Sequence, residues 1–338
     1  MTIKRLQIGI TSVCKIPKAC RYCNKNFLKR HGVDINVNLE KETIINVFQQ
    51  NDIDIIQFCA NAGEALYHPD FEEILQVAKE NSNGIEFNTN GAVKSKEWWT
   101  DLGKILNRPE DMVMFAIDGL SGIHEIHRSW SFETVFWNMI SYIKGGGNAG
   151  WQFIVFKHNE HQLDLCQKLA KEFGVKRFVI RNSRSYDDEL QKPTIMNCNL
   201  ARKTLFNIEY EKDIQCWGKQ PINLLFIDFM GRFWPCPAIP GIYMLSDFIT
   251  NNKEDMEDKL IFSKQALSNE MLALIEEEKD AIFSIYNQQD LEKIQRESKL
   301  WIYTMSHLQT ESICDCYCNV NRRLFGDVTK NFHRIIEF

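Results

Sequence analysis

A chain of 338 residues with 44% hydrophobic and 25% charged residues has the make-up of a globular protein, with one large domain or two moderate ones. Its formal net charge of -5 gives no global case for nucleic-acid binding, and no apolar stretch approaches the ~20 residues that span a membrane. The first five residues lead straight into a predicted strand and do not read as a signal peptide, so a cytoplasmic, reducing setting is expected, in which eleven cysteines favour metal over disulfides.

Residues 4–10 read as that strand. Cys14, Cys20 and Cys23 follow within ten residues. Three thiolates from one loop can hold three irons of a cubane iron–sulfur cluster and leave the fourth iron open to a ligand that is not protein. Zinc is the alternative on spacing alone, with His31 as a fourth ligand, although a structural zinc site usually shows two paired knuckles. Tyr22, just before the last cysteine, places an aromatic ring where it can stack on a purine or pack within the loop. The basic run Lys25 to Arg30 reads as a solvated loop.

Further along, strand and helix alternate. Helices are predicted over Leu39–Gln50, Pro69–Glu80, Ser95–Leu106, Ser131–Lys144 and Glu160–Phe173. Strands are predicted over Asp54–Cys59, Gly84–Asn88, Met112–Ile117, Trp151–Phe156 and Lys176–Ile180. Such alternation argues for parallel strands with crossover helices. Six strand units are too few for a closed eight-stranded barrel, so the expected fold is α/β, an open, partial (β/α)6 TIM-like barrel over residues 1–190. Chemistry in such barrels sits at the C-terminal ends of the strands. The cysteine loop, Glu64, Asn90, Asp118 and Arg181 all fall there.

From about Asn182 the alternation fails, and residues 191–338 are expected to form a smaller α+β domain. Leu224–Phe229 and Arg232–Trp234 read as a hairpin turning at Met230-Gly231. Cys216 and Cys236 flank it, and Cys314, Cys316 and Cys318 follow much later, with Cys198 in reserve. Four thiolates from this set suit one iron–sulfur cluster, and they suit zinc as well. Asn251 to Met305 reads as mostly helical and charged. Cys59 and Cys166 read as core residues.

The ordered motifs of the first 185 or so residues resemble the radical S-adenosylmethionine (radical SAM) superfamily. The loop Cys14…Cys20-Arg-Tyr22-Cys23 resembles its Cys-x3-Cys-x2-Cys signature with two inserted residues. Asn61-Ala62-Gly63-Glu64 resembles its Gly-Gly-Glu segment, with Ala62 in place of one glycine. Asn88-Thr-Asn90-Gly91 resembles its Thr-Asn-Gly. Phe115-Ala-Ile-Asp118-Gly followed by His124 and Arg128 resembles the Ser-x-Asp-Gly…His-Asp-x-x-Arg segment of the peptide- and sulfatase-modifying branch, with Ala116 for the serine. Phe156 to Asn159 also fits. The Cys216…Gly231…Cys236 spacing resembles the opening of the SPASM and shorter Twitch domains, and the usual SPASM continuation is absent.

The resemblance implies a [4Fe–4S] cluster on Cys14, Cys20 and Cys23 with SAM on its open iron, and one auxiliary [4Fe–4S] cluster on Cys216, Cys236 and two of Cys314, Cys316 and Cys318. It implies SAM contacts from Tyr22, Ala62, Gly63, Glu64 and Asn90, from Asp118 near the ribose, from Arg128 at the carboxylate, and from Arg181 to SAM or substrate. His124 and His127 read as structural. The implied reaction is reductive cleavage of SAM to a 5′-deoxyadenosyl radical that abstracts hydrogen from a substrate C–H bond. The substrate would be a peptide or small molecule, and the electron donor a flavodoxin or ferredoxin. Since the first strand starts at once, no peptide-recognition domain is expected before the barrel, which counts slightly against a ribosomal peptide. The rival readings are a zinc-stabilised binding protein and an iron–sulfur electron carrier or sensor.

Overall fold

The computed structural model describes residues 3–15, 20, 23, 25, 29, 35–59, 63–183, 187–194, 224–235, 239, 269–278, 284–287, 289–306 and 333–338. Through these the chain runs β1 (Ile3–Ile8), α1 (Lys41–Gln50), β2 (Ile53–Phe58), a 3-10 turn (Ala65–Tyr67), α2 (Phe71–Glu80), β3 (Ser82–Thr89), α3 (Lys96–Ile105) and β4 (Met112–Ala116). A one-turn helix α4 (His124–His127), α5 (Phe132–Lys144), β5 (Ala149–Val155), a second 3-10 turn (Glu160–Gln162), α6 (Leu163–Glu172) and β6 (Arg177–Asn182) follow. Beyond them lie β7 (Leu224–Ile227), β8 (Phe233–Trp234), α7 (Asn269–Glu278), α8 (Leu291–Glu297), α9 (Lys299–Ser306) and β9 (His333–Glu337).

The fold is mixed α/β, and the expected alternation is present with slightly shifted ends. Ser95 and Ser131 stand outside their helices as caps: each hydroxyl accepts a backbone N–H, from Trp98 and Thr134 respectively. The helix expected from Pro69 starts at Phe71, because His68 takes the Asp70 N–H on its Nδ1 and holds Pro69-Asp70 in a turn. Of the predicted helical insert, residues 269–278 and 291–306 carry α7 to α9, and residues 251–268 lie outside the described set.

The chain divides into two compact units. The first comprises residues 1–14, 27–83 and 209–322. Its strands follow the order β8-β7-β1-β2. β1 pairs in parallel with both β2 and β7, and β7 turns back antiparallel into β8. Alternating burial along β1 and β2 matches their apolar positions, so Leu6, Ile8, Ile56 and Phe58 are fully buried. Phe58 meets Phe48 and Phe71 edge-on, at 6.3 and 5.8 Å between ring centroids, which packs α1 and α2 on the sheet. Burying each such ring contributes roughly 1.5–3 kcal/mol. Asp228 fixes the β7–β8 turn by accepting from the Met230 and Arg232 amides, Arg232 Nε and Trp234 Nε1.

The second unit comprises residues 15–26, 84–208 and 323–338. Its strands follow the order β3-β4-β5-β6-β9, parallel except for β9, which pairs antiparallel with β6. Trp99, Phe115 and Tyr142 form one buried aromatic cluster. Helices α3 and α5 pack close through glycine: a Cβ on Gly103 would lie 2.2 Å from the Tyr142 carbonyl oxygen, and one on Gly145 2.1 Å from that of Thr100. Because β3 to β6 are parallel, the segments carrying Asn90, Asp118 and His158 leave the sheet at one edge. Among the described residues, no helix is long and apolar enough to cross a membrane.

Candidate functional site

In the first unit, the segment leaving β1 is fixed before it reaches Cys14. The Thr11 hydroxyl donates to Asn38 Oδ1 (2.6 Å) and accepts the Val13 N–H (2.9 Å). Ser12 donates to the Ile35 carbonyl (3.0 Å) and accepts the Val37 N–H (2.8 Å). The Gly63-Glu64 loop docks on this segment through Glu64 N–H to the Val13 carbonyl (2.9 Å). Glu64 is buried, and Cys14 is half-buried. Burial, followed by the neighbouring Cys14 and Glu64, pushes the Tyr67 phenol up, so both groups lie within electrostatic reach of one ring. His68 closes the loop from below, donating from Nε2 to the Leu39 carbonyl (2.8 Å).

Gly63 has φ +100°, and a Cβ there would lie 2.2 Å from the Thr11 carbonyl oxygen and 2.8 Å from Ser12 Cα. Backbone conformation and backbone contact therefore both require glycine. Gly63→Ala is expected to lower stability by about 2–3 kcal/mol as strain and overpacking combine. Urea unfolding checks this, and an unchanged midpoint would mean that the loop yields freely.

In the second unit, Asp118 is the hub. It is fully buried just beyond β4. Its Oδ1 accepts the Ile154 N–H (2.7 Å), and its Oδ2 accepts from His127 Nδ1 (2.6 Å) and Arg128 Nε (2.5 Å). Asn159 ties the loop after β5 to the same place, donating to the carbonyls of Asp118 (3.0 Å) and Ile154 (2.9 Å). Burial alone would raise the Asp118 carboxyl, but the Arg128 charge and the His127 and Arg128 hydrogen bonds outweigh it and hold it well below the usual range. The Arg128 guanidinium, which burial would discharge, is held charged above its usual range by Asp118.

His124 accepts the Asp118 N–H on Nδ1 (3.1 Å), so its proton sits on Nε2. Burial pushes this imidazole down to about 4, and His127 is lowered for the same first reason. Both rings are neutral at pH 7.

Cys20 and Cys23 are half-buried, and the Cys23 N–H donates to the Cys20 carbonyl (3.0 Å). Burial pushes the Cys20 thiol up, while the charge and hydrogen bond of Arg128 pull it down. Arg128 thus joins the Asp118 hub to one thiol of the cysteine loop. Its Nη2 is buried and has no hydrogen-bond partner among the described residues. A charged guanidinium with an unspent donor beside a thiol fits a thiolate-held cluster with a carboxylate-bearing ligand next to it.

Among the other expected site residues, Asn90 forms an Asx turn through the Ala92 N–H (2.9 Å), and Arg181 lies exposed on β6, opposite His333 of β9. Tyr22, Ala62, Cys198, Cys216, Cys236, Cys314, Cys316 and Cys318 lie outside the described residues. Among the described residues, no three His, Cys, Asp or Glu side chains gather as a ligand set for a single metal ion. Cys166 is buried on α6, and the Cys59 N–H donates to the Ile8 carbonyl (3.1 Å). Sequence reading included His158 within the Phe156–Asn159 stretch and gave it no role of its own; its contact with the Phe156 ring is a feature of the folded loop.

No family model matches the chain, and no curated protein matches it in sequence. Its fold does match solved structures. Streptococcus suis SuiB bound to S-adenosylmethionine aligns at a TM-score of 0.51 and 16% identity, over 70% of this chain and 59% of SuiB. SuiB bound to its precursor peptide SuiA aligns at 0.50 and 14% identity, over 76% of this chain and 63% of SuiB. Native anSMEcpe with bound AdoMet aligns at 0.54 and 12% identity, over 96% of this chain and 98% of that one. The chain spans about three fifths of SuiB and nearly all of anSMEcpe. At these identities the likeness is one of fold.

Proposed function

We propose that this chain is a radical SAM enzyme that modifies a peptide. The observation that carries the reading is the Asp118–Arg128–Cys20 connection, in which a buried carboxylate holds a guanidinium against a cysteine of the three-cysteine loop. Support comes from two folds aligned with this one, in structures that hold S-adenosylmethionine.

Cys14, Cys20 and Cys23 would hold a [4Fe–4S] cluster with one iron left for SAM. When bound, cluster and SAM supply a 5′-deoxyadenosyl radical that removes hydrogen from a substrate C–H bond. The chain's own groups bind and orient. Glu64, buried beside the segment that carries Cys14, offers a carboxylate to the SAM ammonium. Arg128 offers its remaining N–H donor to the SAM carboxylate. Asp118 keeps that guanidinium charged and aimed, with both of its oxygens already bound to protein donors. Gly63 lets its loop approach the chain leaving β1.

A peptide substrate is favoured because SuiB, on the matching fold, binds its precursor peptide SuiA. Cys216, Cys236 and two of Cys314, Cys316 and Cys318 would hold one auxiliary [4Fe–4S] cluster, which would supply either an electron acceptor for the substrate or a place to bind it. A flavodoxin or ferredoxin supplies the reducing electron, and a cytoplasmic setting keeps the thiols reduced.

The decisive assay is anaerobic. Reconstituted protein given dithionite and SAM is expected to be brown, to carry about eight irons per chain, as two four-iron clusters require, and to form 5′-deoxyadenosine. Colourless protein with stoichiometric zinc, or brown protein that leaves SAM intact, would overturn the reading.

A further inference from the structure

β9 is the last strand in the order of the second unit, and β6 takes its inner edge. The ladder dictates which of its main-chain groups point away from β6. In an antiparallel pair, opposed residues that exchange hydrogen bonds alternate with opposed residues that do not. The Phe338 N–H donates to the Lys176 carbonyl (3.0 Å), so the bonded pairs that follow are Phe178 with Ile336 and Ile180 with Arg334. The far side of β6 agrees. The Val113 N–H donates to the Asn148 carbonyl and the Ile117 N–H to the Gln152 carbonyl, so the even-numbered residues of β5 bond to β4 and the odd-numbered ones to β6. Carried through the parallel β5–β6 register, this turns Arg177, Val179 and Arg181 towards β5 and leaves Phe178 and Ile180 for β9.

His333, Ile335 and Glu337 therefore direct both N–H and C=O away from β6. Among the described residues, no backbone group pairs with them. Natural edge strands are commonly blunted by proline, lysine or a bulge. β9 contains neither proline nor lysine, and its register with β6 runs unbroken from Arg181–His333 to Arg177–Glu337. Such an edge can accept a further strand through its main chain.

The outward residues are also self-complementary. Turned about a two-fold axis at Ile335, β9 of a second copy meets β9 antiparallel. Ile335 then faces Ile335, and His333 of each copy faces Glu337 of the other. Each of these opposed pairs exchanges both of its main-chain bonds. A slip of two residues leaves one outward residue on each strand with no strand residue opposite. The same register sets a base against an acid at both ends and a β-branched pair at the centre, and both oppositions are favourable. Glu337 accepts from Arg177 Nε of its own chain (2.6 Å) through Oε1, yet its side chain stays 58% exposed, so the carboxylate can accept again.

We propose that β9 is the contact surface of a homodimer, in which two copies pair edge to edge about Ile335. The β3-β4-β5-β6-β9 sheets of the two copies then continue into one. A second copy is the occupant, rather than a foreign strand, because the edge carries its own complement in bonding pattern and in charge. This pairing is independent of the chemistry proposed above. A contact one strand wide lies at the small end of interface sizes, so the dimer is expected to be weak and concentration-dependent.

Sedimentation velocity of the anaerobically reconstituted full chain is the test. Wild type is expected to be monomeric at about 1 μM and mostly dimeric at about 200 μM, an approximately twofold rise in mass. Hydrogen exchange over residues 333–337 is expected to slow across the same range. Ile335→Pro removes the central outward N–H and leaves the bonds to β6 in place, and proline is tolerated on edge strands. That variant is expected to stay monomeric throughout. His333→Glu sets like charges opposite each other at both ends of the contact, while its own neighbour across β6 is Arg181. It is expected to weaken the dimer about tenfold at an unchanged melting temperature. Wild type that stays monomeric at about 200 μM overturns the proposal, and so does a dimer that survives Ile335→Pro. A dimer lost in Ile335→Pro but unchanged in His333→Glu overturns the register about Ile335. If Ile335→Pro is not recovered folded, a dimer unchanged in His333→Glu overturns the proposal by itself.

Discussion

Replacing Cys20 by alanine is expected to abolish 5′-deoxyadenosine formation and to lower the iron content of reconstituted protein by about four irons per chain. Three thiolates are the fewest that hold a cubane with one iron left for SAM, so two do not suffice. Cys20 is also the cysteine that Arg128 touches, so its loss removes a contact of the guanidinium at the same time. Cys166→Ala is the control. That thiol is buried on α6, far up the usual range because of its burial, and pushed up to about 12. It lies in the core, away from the three-cysteine loop in sequence, and its variant is expected to keep full iron and full SAM cleavage. Iron analysis and chromatography of the quenched reaction read both variants. Retained cleavage in Cys20→Ala would remove the three-cysteine loop from the chemistry.

Asp118→Asn is expected to lower stability by about 3–5 kcal/mol, the cost of leaving a buried charge without its partner. The substitution keeps shape and loses function at each contact. Asp118 accepts three donors, the Ile154 amide on one oxygen and His127 and Arg128 on the other. An asparagine has one acceptor oxygen, so its NH2 group must face at least one of those donors. Arg128 then sits charged in a buried site with nothing to balance it. Urea unfolding at pH 7 gives the magnitude.

The pH dependence gives an independent reading of the same contact. The Asp118 carboxyl is depressed in the folded state, so the unfolded chain binds the extra proton as pH falls. Its stabilisation is complete above about pH 4, the ordinary aspartate value, and fades below it towards the lower folded value. His124 acts in a different window. Its folded value of about 4 lies below the ordinary histidine value of about 6.5, so stability rises with pH between the two. Wild type is therefore expected to lose stability in both windows on acidification, and Asp118→Asn to lack the loss below about pH 4. Parallel acid limbs for the two proteins would show that the carboxylate contributes little.

Much of the frame was legible before any coordinates. The short strands β1 and β2, the helices beginning near Ser95 and Ser131, and the Met230-Gly231 turn rest on local signals, and local signals survive in a single sequence. Long-range pairing leaves no such trace. Nothing around Leu224 announces that β7 runs beside β1, and nothing around His333 announces that β9 closes on β6. The site divides in the same way. Asp118, His124 and Arg128 lie within one turn-and-helix segment, so motif spacing could bring them together. The occupation of both Asp118 oxygens and the contact of the His158 ring with Phe156 depend on Ile154, Phe156 and Asn159, which only the folded loop after β5 delivers.

The antiparallel pairing of β9 with β6 also constrains when the second unit can be finished. β6 ends at Asn182, whereas its outer neighbour begins at His333, and the residues between include the later part of the first unit. On the ribosome, β6 must therefore wait with a bare hydrogen-bonding edge while more than a hundred further residues are translated. A nascent strand in that state is a template for wrong partners, and so the period of greatest risk falls late in synthesis.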